Sequence, residues 1–205
     1  MANISINDIT TSNEAGTATF TVTLSEAVGS DVVVDFTTSS QTLNFTAADV
    51  ANSAWWGQDV FVADMDSDGD LDIVSASSYD DTIAWYENDG AADPTWSAAN
   101  IATSASGAAN VHVADMDGDG DLDIVSTTGS GDTIAWYENN GAADPTWAAA
   151  DIANVLDPNG VYVADMDGDG DLDIVSSHTS NAIRWYENDG ADDPSWTAVL
   201  ISTSA

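Results

Sequence analysis

The stretch VADMDSDGDLDIVS, residues 62–75, returns as VADMDGDGDLDIVS at 113–126 and again at 163–176, at spacings of 51 and 50 residues. Each copy is followed by a second shared block: DTIAWYENDGAADPTW from Asp81, DTIAWYENNGAADPTW from Asp132 and NAIRWYENDGADDPSW from Asn181. A looser block closes the unit, SAANIA after Trp96, AAADIA after Trp147 and TAVLIS after Trp196. Self-similarity at a fixed period of about 20–50 residues is the mark of a stacked repeat architecture, in which one unit cannot bury its apolar face alone.

Within a unit the apolar residues alternate with period 2, as in strands. VFVAD, VHVAD and VYVAD run into the acidic loop, Leu71 to Ser75 run out of it, and Thr82 to Glu87 alternate in turn. Asn88-Asp89-Gly90 and Asp93-Pro94 supply turn chemistry before the strand that begins near Trp96. Four short antiparallel strands in about 50 residues match one blade of a propeller. The expected fold is therefore all-β, with tandem four-stranded blade-like units over about 58–108, 109–157 and 158–205. NFTAADVA, residues 44–51, reads as the closing strand of an incomplete earlier unit spanning 44–57. Residues 1–43, rich in Thr, Val and Ser, read as a small sandwich-like or degenerate-blade β segment.

Numbering the acidic loop from its first aspartate puts Asp64, Asp66, Asp68 and Asp72 at positions 1, 3, 5 and 9, with Gly69 at position 6. The other copies place Asp115, Asp117, Asp119 and Asp123, and Asp165, Asp167, Asp169 and Asp173, in the same way. Alternating carboxylates on a tightly turning backbone converge on one point, and glycine permits the turn. Asp70, Asp121 and Asp171, at position 7, would offer a backbone carbonyl and keep their carboxylates in water. An all-oxygen, crowded donor set suits Ca²⁺ with its 6–8 ligands better than Mg²⁺, and no Cys or nearby His invites a transition metal. Unscreened carboxylates at such spacing repel by about 1 kcal/mol per pair even at water's dielectric, so a threefold recurrence calls for a cation. The expected complement is about three Ca²⁺, one per repeat. Position 12 is Ser75, Ser126 or Ser176 inside a strand, so the loop is EF-hand-like without EF-hand helices.

With these residues in view, the unit resembles the FG-GAP/VCBS repeat, the blade of integrin-α-like β-propellers, whose DxDxDGxxD loop binds calcium between the first two strands. The resemblance covers about residues 58–205. It implies blades, calcium on the aspartates named above, and an extracellular or cell-surface setting, commonly in bacterial adhesion proteins. More weakly, ISINDITTSNEAGTATFTVTLSEAVGSDVVVDFTT, residues 4–38, resembles the first half of a Calx-β domain, an Ig-like sandwich.

Composition narrows the function further. The 205 residues hold 36 Asp and Glu against one basic residue, Arg184, for a formal net charge of −35. Such a chain cannot neutralise phosphates, which excludes nucleic acid and polybasic attachment to anionic lipid. There is no cysteine, and no apolar run approaches the ~18 residues of a membrane span. The start at Met1 lacks the basic and apolar parts of a secretion signal, so in an exported form the signal would have been removed or would lie outside this numbering.

No nucleophile elbow, phosphate loop or Cys nucleophile is present, and the close Asp pairs are absorbed by the calcium pattern, so no enzyme is expected. Trp85, Trp136, Trp185, Trp96, Trp147 and Trp196 recur at fixed positions and read as inter-blade packing rather than sugar platforms. Phe61, His112 and Tyr162 share one register position and read as packing too. Trp55 and Trp56, absent from the other units, are the better contact surface, and Arg184, in place of Ala84 and Ala135, should form an ion pair. Three units cannot close a ring of four to eight blades. The expected role is an extracellular calcium-binding structural protein whose copies join head to tail in a fibre, the partner being the chain itself through its N-terminal strands. The alternative is a ligand-binding propeller fragment of a larger bacterial adhesin with a cell-surface or glycan ligand.

Overall fold

A computed structural model describes residues 4–6, 22–24, 49–191 and 194–202. Two compact units divide the chain, Met1–Thr46 and Ala47–Ala205. In the first, β1 (Ile4–Ile6) pairs antiparallel with β2 (Val22–Leu24), Ser5 opposite Thr23. The expected closing strand at 44–51 lies mostly outside the described residues, and Asp49, Val50 and Ala51 are not in a strand.

The second unit is three four-stranded antiparallel sheets in tandem, with no helix among the described residues. Blade 1 consists of β3 (Gly57–Ala63), β4 (Asp72–Ser77), β5 (Thr82–Asn88) and β6 (Trp96–Ala102). Blade 2 consists of β7 (Ala108–Ala114), β8 (Asp123–Thr128), β9 (Thr133–Asn139) and β10 (Trp147–Asn154). Blade 3 consists of β11 (Pro158–Ala164), β12 (Asp173–His178), β13 (Ile183–Asn188) and β14 (Trp196–Ser202). Each sheet keeps its strands in chain order, as short loops between antiparallel strands require.

Alternation gives every blade two apolar faces, and the core lies between blades. Met65, Val74, Ile83 and Trp85 of blade 1 pack against Val111, Val113, Ile124 and Tyr137 of blade 2. One repeat on, Met116, Val125, Ile134 and Trp136 meet Val161, Val163, Ile174 and Tyr186. Trp85 and Trp136 are thus inter-blade packing, as expected, with Trp147 and Trp196 against the edges of the two cores. Trp185 is only half-buried, because among the described residues nothing follows blade 3.

Polar links repeat at both junctions. The Val111 N–H donates to Asp59 Oδ2 at 3.1 Å, and one blade later the Val161 N–H donates to Asn110 Oδ1 at 2.8 Å. The Gly107 N–H donates to Asp81 Oδ1, and the Asp157 N–H to Asp132 Oδ1, both at 2.8 Å. Phe61, His112 and Tyr162 form a row of rings across the first strands, with centroids 5.1 and 4.9 Å apart. Arg184 departs from expectation: it forms no ion pair among the described residues, and its Nε is buried without a partner. It holds the register position of Ala84 and Ala135, opposite Ser176 on β12. That places it in the face shared with Tyr186, toward blade 2 and away from the acidic loops.

Candidate metal centres

The link between the first and second strands of each blade carries the acidic loop. Its backbone is folded by its own aspartates. Asp64 accepts from the N–H groups of Asp68 and Gly69 at 3.1 and 3.0 Å, Asp66 from Asp68 at 3.3 Å, and Asp68 from Asp70 at 2.9 Å. In the second loop Asp115 accepts from Gly118 and Gly120, Asp117 from Asp119, and Asp119 from Asp121. Asp165, Asp167 and Asp169 repeat that arrangement. Gly69, Gly120 and Gly170 take φ of 99°, 100° and 107°, a region that side chains rarely enter, which is why position 6 is glycine.

The convergence expected from spacing is present in each loop. Carboxylate oxygens of Asp64, Asp66 and Asp72, of Asp115, Asp117 and Asp119, and of Asp165, Asp167 and Asp173 lie within 4.8 Å of one another. Position 5 joins the cluster in the second loop and position 9 in the other two. Asp68, Asp169 and Asp123 stand in the same loops outside the closest groups. A carboxylate oxygen has two acceptor directions, so one that holds a backbone N–H can also meet a cation. Three like charges this close cost about 1 kcal/mol per pair even in water, and a hard divalent cation is the complement such a set fits. The donors present therefore suit Ca²⁺.

Position 9 does something spacing does not reveal. Asp72, Asp123 and Asp173 are each 1% exposed. Asp72 accepts from Met65 N–H at 3.0 Å and from Asn88 N–H at 2.9 Å, tying the loop to the end of β5. Asp123 bridges Met116 and Asn139 in the same way, and Asp173 bridges Met166 and Asn188. Burial pushes the Asp123 carboxyl up to about 7, against the pull of the two backbone donors. Burial also raises Asp66 and Asp117, with neighbouring aspartates adding to it.

Position 7 differs from expectation. Asp70, Asp121 and Asp171 are half-buried rather than fully open to water and stand outside the closest carboxylate groups, and their carboxylates sit against Gly90, Gly141 and Gly190 of the turn after the third strand. A Cβ at any of these glycines would fall about 2 Å from the carboxylate, at 2.1, 1.9 and 2.1 Å. Glycine there serves both the left-handed turn and the space the aspartate fills.

The functional residue that composition and spacing passed over is the asparagine closing WYEN. Asn139 Nδ2 donates to the carbonyl of Leu122 in its own loop and of Met65 in the previous loop, both at 3.1 Å. Asn188 does the same for Leu172 and Met116. Among the described residues, the Asn88 side-chain amide donates to Leu71 O alone. The signal available in sequence was a strand-end Asn recurring in all three copies.

A family model described as FG-GAP-like repeat matches residues 64–126 and 115–176, more than half of the chain. The chain belongs to the FG-GAP-like repeat family. No curated protein matches it. No helix among the described residues is long and apolar enough to cross a membrane.

Proposed function

We propose that the chain is a non-enzymatic, extracellular structural repeat that takes up three calcium ions, one per acidic loop, and whose copies associate head to tail in a surface fibre. The observation that carries the calcium reading is the triplicate convergence of carboxylates on loops whose backbone they themselves fold. Three divalent ions would move the net charge from −35 to −29 and relieve repulsion where it is densest. An ion that binds the folded loop and not the unfolded chain adds its binding free energy to stability. An extracellular setting, which membership of the FG-GAP-like repeat family supports, would supply calcium in the range of the roughly 10⁻⁴–10⁻³ M affinities of extracellular modules.

The end blades favour self-association. Met65 and Met116 are 2% exposed beneath the next blade, whereas Met166 is 50% exposed, beside half-buried Val175, Ile183 and Trp185. At the other end Val60, Val62 and Leu71 are exposed where Val111, Val113 and Leu122 are covered. These are the two halves of a contact made twice inside the chain, and a second copy offers the matching half. The halves differ, so such a contact repeats head to tail. The expected route through the strands of residues 1–43 falls largely outside the described residues. Light scattering in millimolar calcium tests the reading: multiples of the 21.2 kDa chain support it, and a monomer at all concentrations removes it in favour of the adhesin fragment. That second reading is favoured by an aromatic surface on blade 1.

A further inference from the structure

Blade 1 departs from the other two at the end of β3 opposite the acidic loop. Trp56, just before β3, has φ of 57° and is 72% exposed. The offsets of 51 and 50 residues make Gly107 and Asp157 its counterparts, with φ of 67° and 50°. All three blades thus need a left-handed residue here. The left-handed region costs an L-residue roughly 1–2 kcal/mol, is easiest for Gly, Asn and Asp, and makes a bulky side chain an outlier. Trp56 therefore bears strain without the burial that would offset it. Strain held at an exposed aromatic is the kind of outlier that points to a function.

Its neighbours point the same way. Trp55 and Tyr79 are also exposed, where the corresponding residues are Ser106 and Ser130 in blade 2 and Leu156 and Ser180 in blade 3. Trp55 stacks on Tyr79 with centroids 5.6 Å apart and planes at 22°, and Trp56 tilts against Tyr79 at 5.4 Å and 57°. Hydrogen bonds tie the backbone of this corner together. Ser78 N–H donates to Trp56 O at 3.1 Å, Tyr79 N–H to Trp55 O at 3.3 Å, and Gln58 Nε2 to both Trp56 O and Ser78 Oγ. Beside it a cleft of about 430 Å³ passes the first strands of all three blades, with Gln58, Ser130, Asp157 and Asn159 among its lining. That volume lies in the range of small-molecule clefts.

Aromatic faces beside hydroxyl, amide and carboxylate groups suit a ring that is apolar on its C–H face and polar around its rim. No basic residue lines the cleft, and the net charge repels anionic polymers. We propose that Trp55, Trp56 and Tyr79 form a stacking platform for a neutral polysaccharide, whose hydroxyls meet the polar groups of the cleft. The platform lies at the far end of β3 from the metal loop, so the proposal stands apart from the calcium reading.

Affinity electrophoresis of the calcium-loaded full chain tests it, in gels containing hydroxyethylcellulose, laminarin or galactomannan, with dextran sulfate as the anionic control. Retardation by at least one neutral polymer and not by dextran sulfate is expected. Trp56→Gly, which restores the residue type blade 2 uses, should weaken that retardation at least tenfold and leave the melting temperature equal or higher. Tyr79→Ser should weaken it as well. Three results would overturn the proposal: no retardation by any neutral polymer, retardation unchanged in both variants, or a melting temperature lowered by Trp56→Gly, which would make the tryptophan a structural prop.

Discussion

The side-chain amide of Asn139 donates to the carbonyl of Met65, 74 residues earlier, at 3.1 Å, and to Leu122 O at the same distance. One buried side chain thus holds two successive acidic loops at a fixed separation, and Asn188 does the same one blade on. Each of these two amides therefore joins one candidate metal loop to the next. A net contribution of about 0.5–1.5 kcal/mol per hydrogen bond, and more for a buried group left unpaired, sets the scale. Asn139→Ala should lower stability by about 2–3 kcal/mol, while Asn88→Ala, which loses the Leu71 and Gly90 bonds at a less buried site but no link to an earlier loop, should cost about 1 kcal/mol. Urea melts of the two variants check the difference.

The clasp and the ligand can be separated. Asp123→Ala leaves the Met116 and Asn139 N–H groups buried without their acceptor and should destabilise the chain by about 2–5 kcal/mol even in chelator. Asp117→Ala removes a carboxylate from the cluster but only one backbone bond at the loop, so its effect should be large in calcium and near zero in chelator. Thermal melts of both variants with and without calcium decide whether position 9 has this second role.

His178 should make stability fall in acid. Its Nδ1 faces Leu156 O at 3.3 Å, and its Nε2 lies 2.7 Å from Ser176 Oγ. A carbonyl only accepts, so the ring donates there; in the neutral form, which burial favours, Nε2 accepts from the serine hydroxyl. Burial is the main cause that lowers its pKa; Arg184 lowers it further, while the Leu156 carbonyl and Asp157 pull it up. A depressed folded value means the unfolded chain takes the proton first. The contribution is full above the unfolded value of about 6.5 and is lost as pH falls through the folded value. Melting temperature at saturating calcium should decline below about pH 6.5, with a shallower slope in His178→Gln. An unchanged slope would mean that the ring titrates like a free histidine.

The end face separates packing from assembly. Met116→Asp places a charge in the core between blades 2 and 3 and should cost several kcal/mol. Met166→Asp, at the half-exposed counterpart, should cost less than about 1 kcal/mol yet reduce self-association to monomers. If Met166→Asp assembles like the parent chain, the head-to-tail contact does not run through this face.

The fold was legible because the repeat states itself three times. Period-2 alternation around Val62 and Trp85, with turn residues at Asn88 to Gly90, leaves little but short antiparallel strands, and matching faces in successive copies imply stacking. The loop was legible for the same reason: carboxylates at alternate positions before a glycine converge. What spacing could not show was where side chains point once blades stack. Asp72 reads as one more ligand, yet its burial and its two backbone donors make it a clasp as well. Asp70 reads as a solvated charge, yet it fills the space left by Gly90. Asn139 reads as a strand end, because its partner lies in another blade. Arg184 reads as half of an ion pair, because its position in the inter-blade face is a matter of register rather than composition.

Three calcium ions are proposed to hold this array. Titration of calcium into chelator-stripped protein by calorimetry, with a melt at each end of the titration, tests this most directly. Three ions per chain and a melting temperature that rises with calcium are expected, since each site at a hundredfold excess over its dissociation constant adds about 2.7 kcal/mol. Absence of binding heat together with the same melt in chelator and in 10 mM calcium, a concentration about tenfold or more above the affinities expected of such modules, would contradict it.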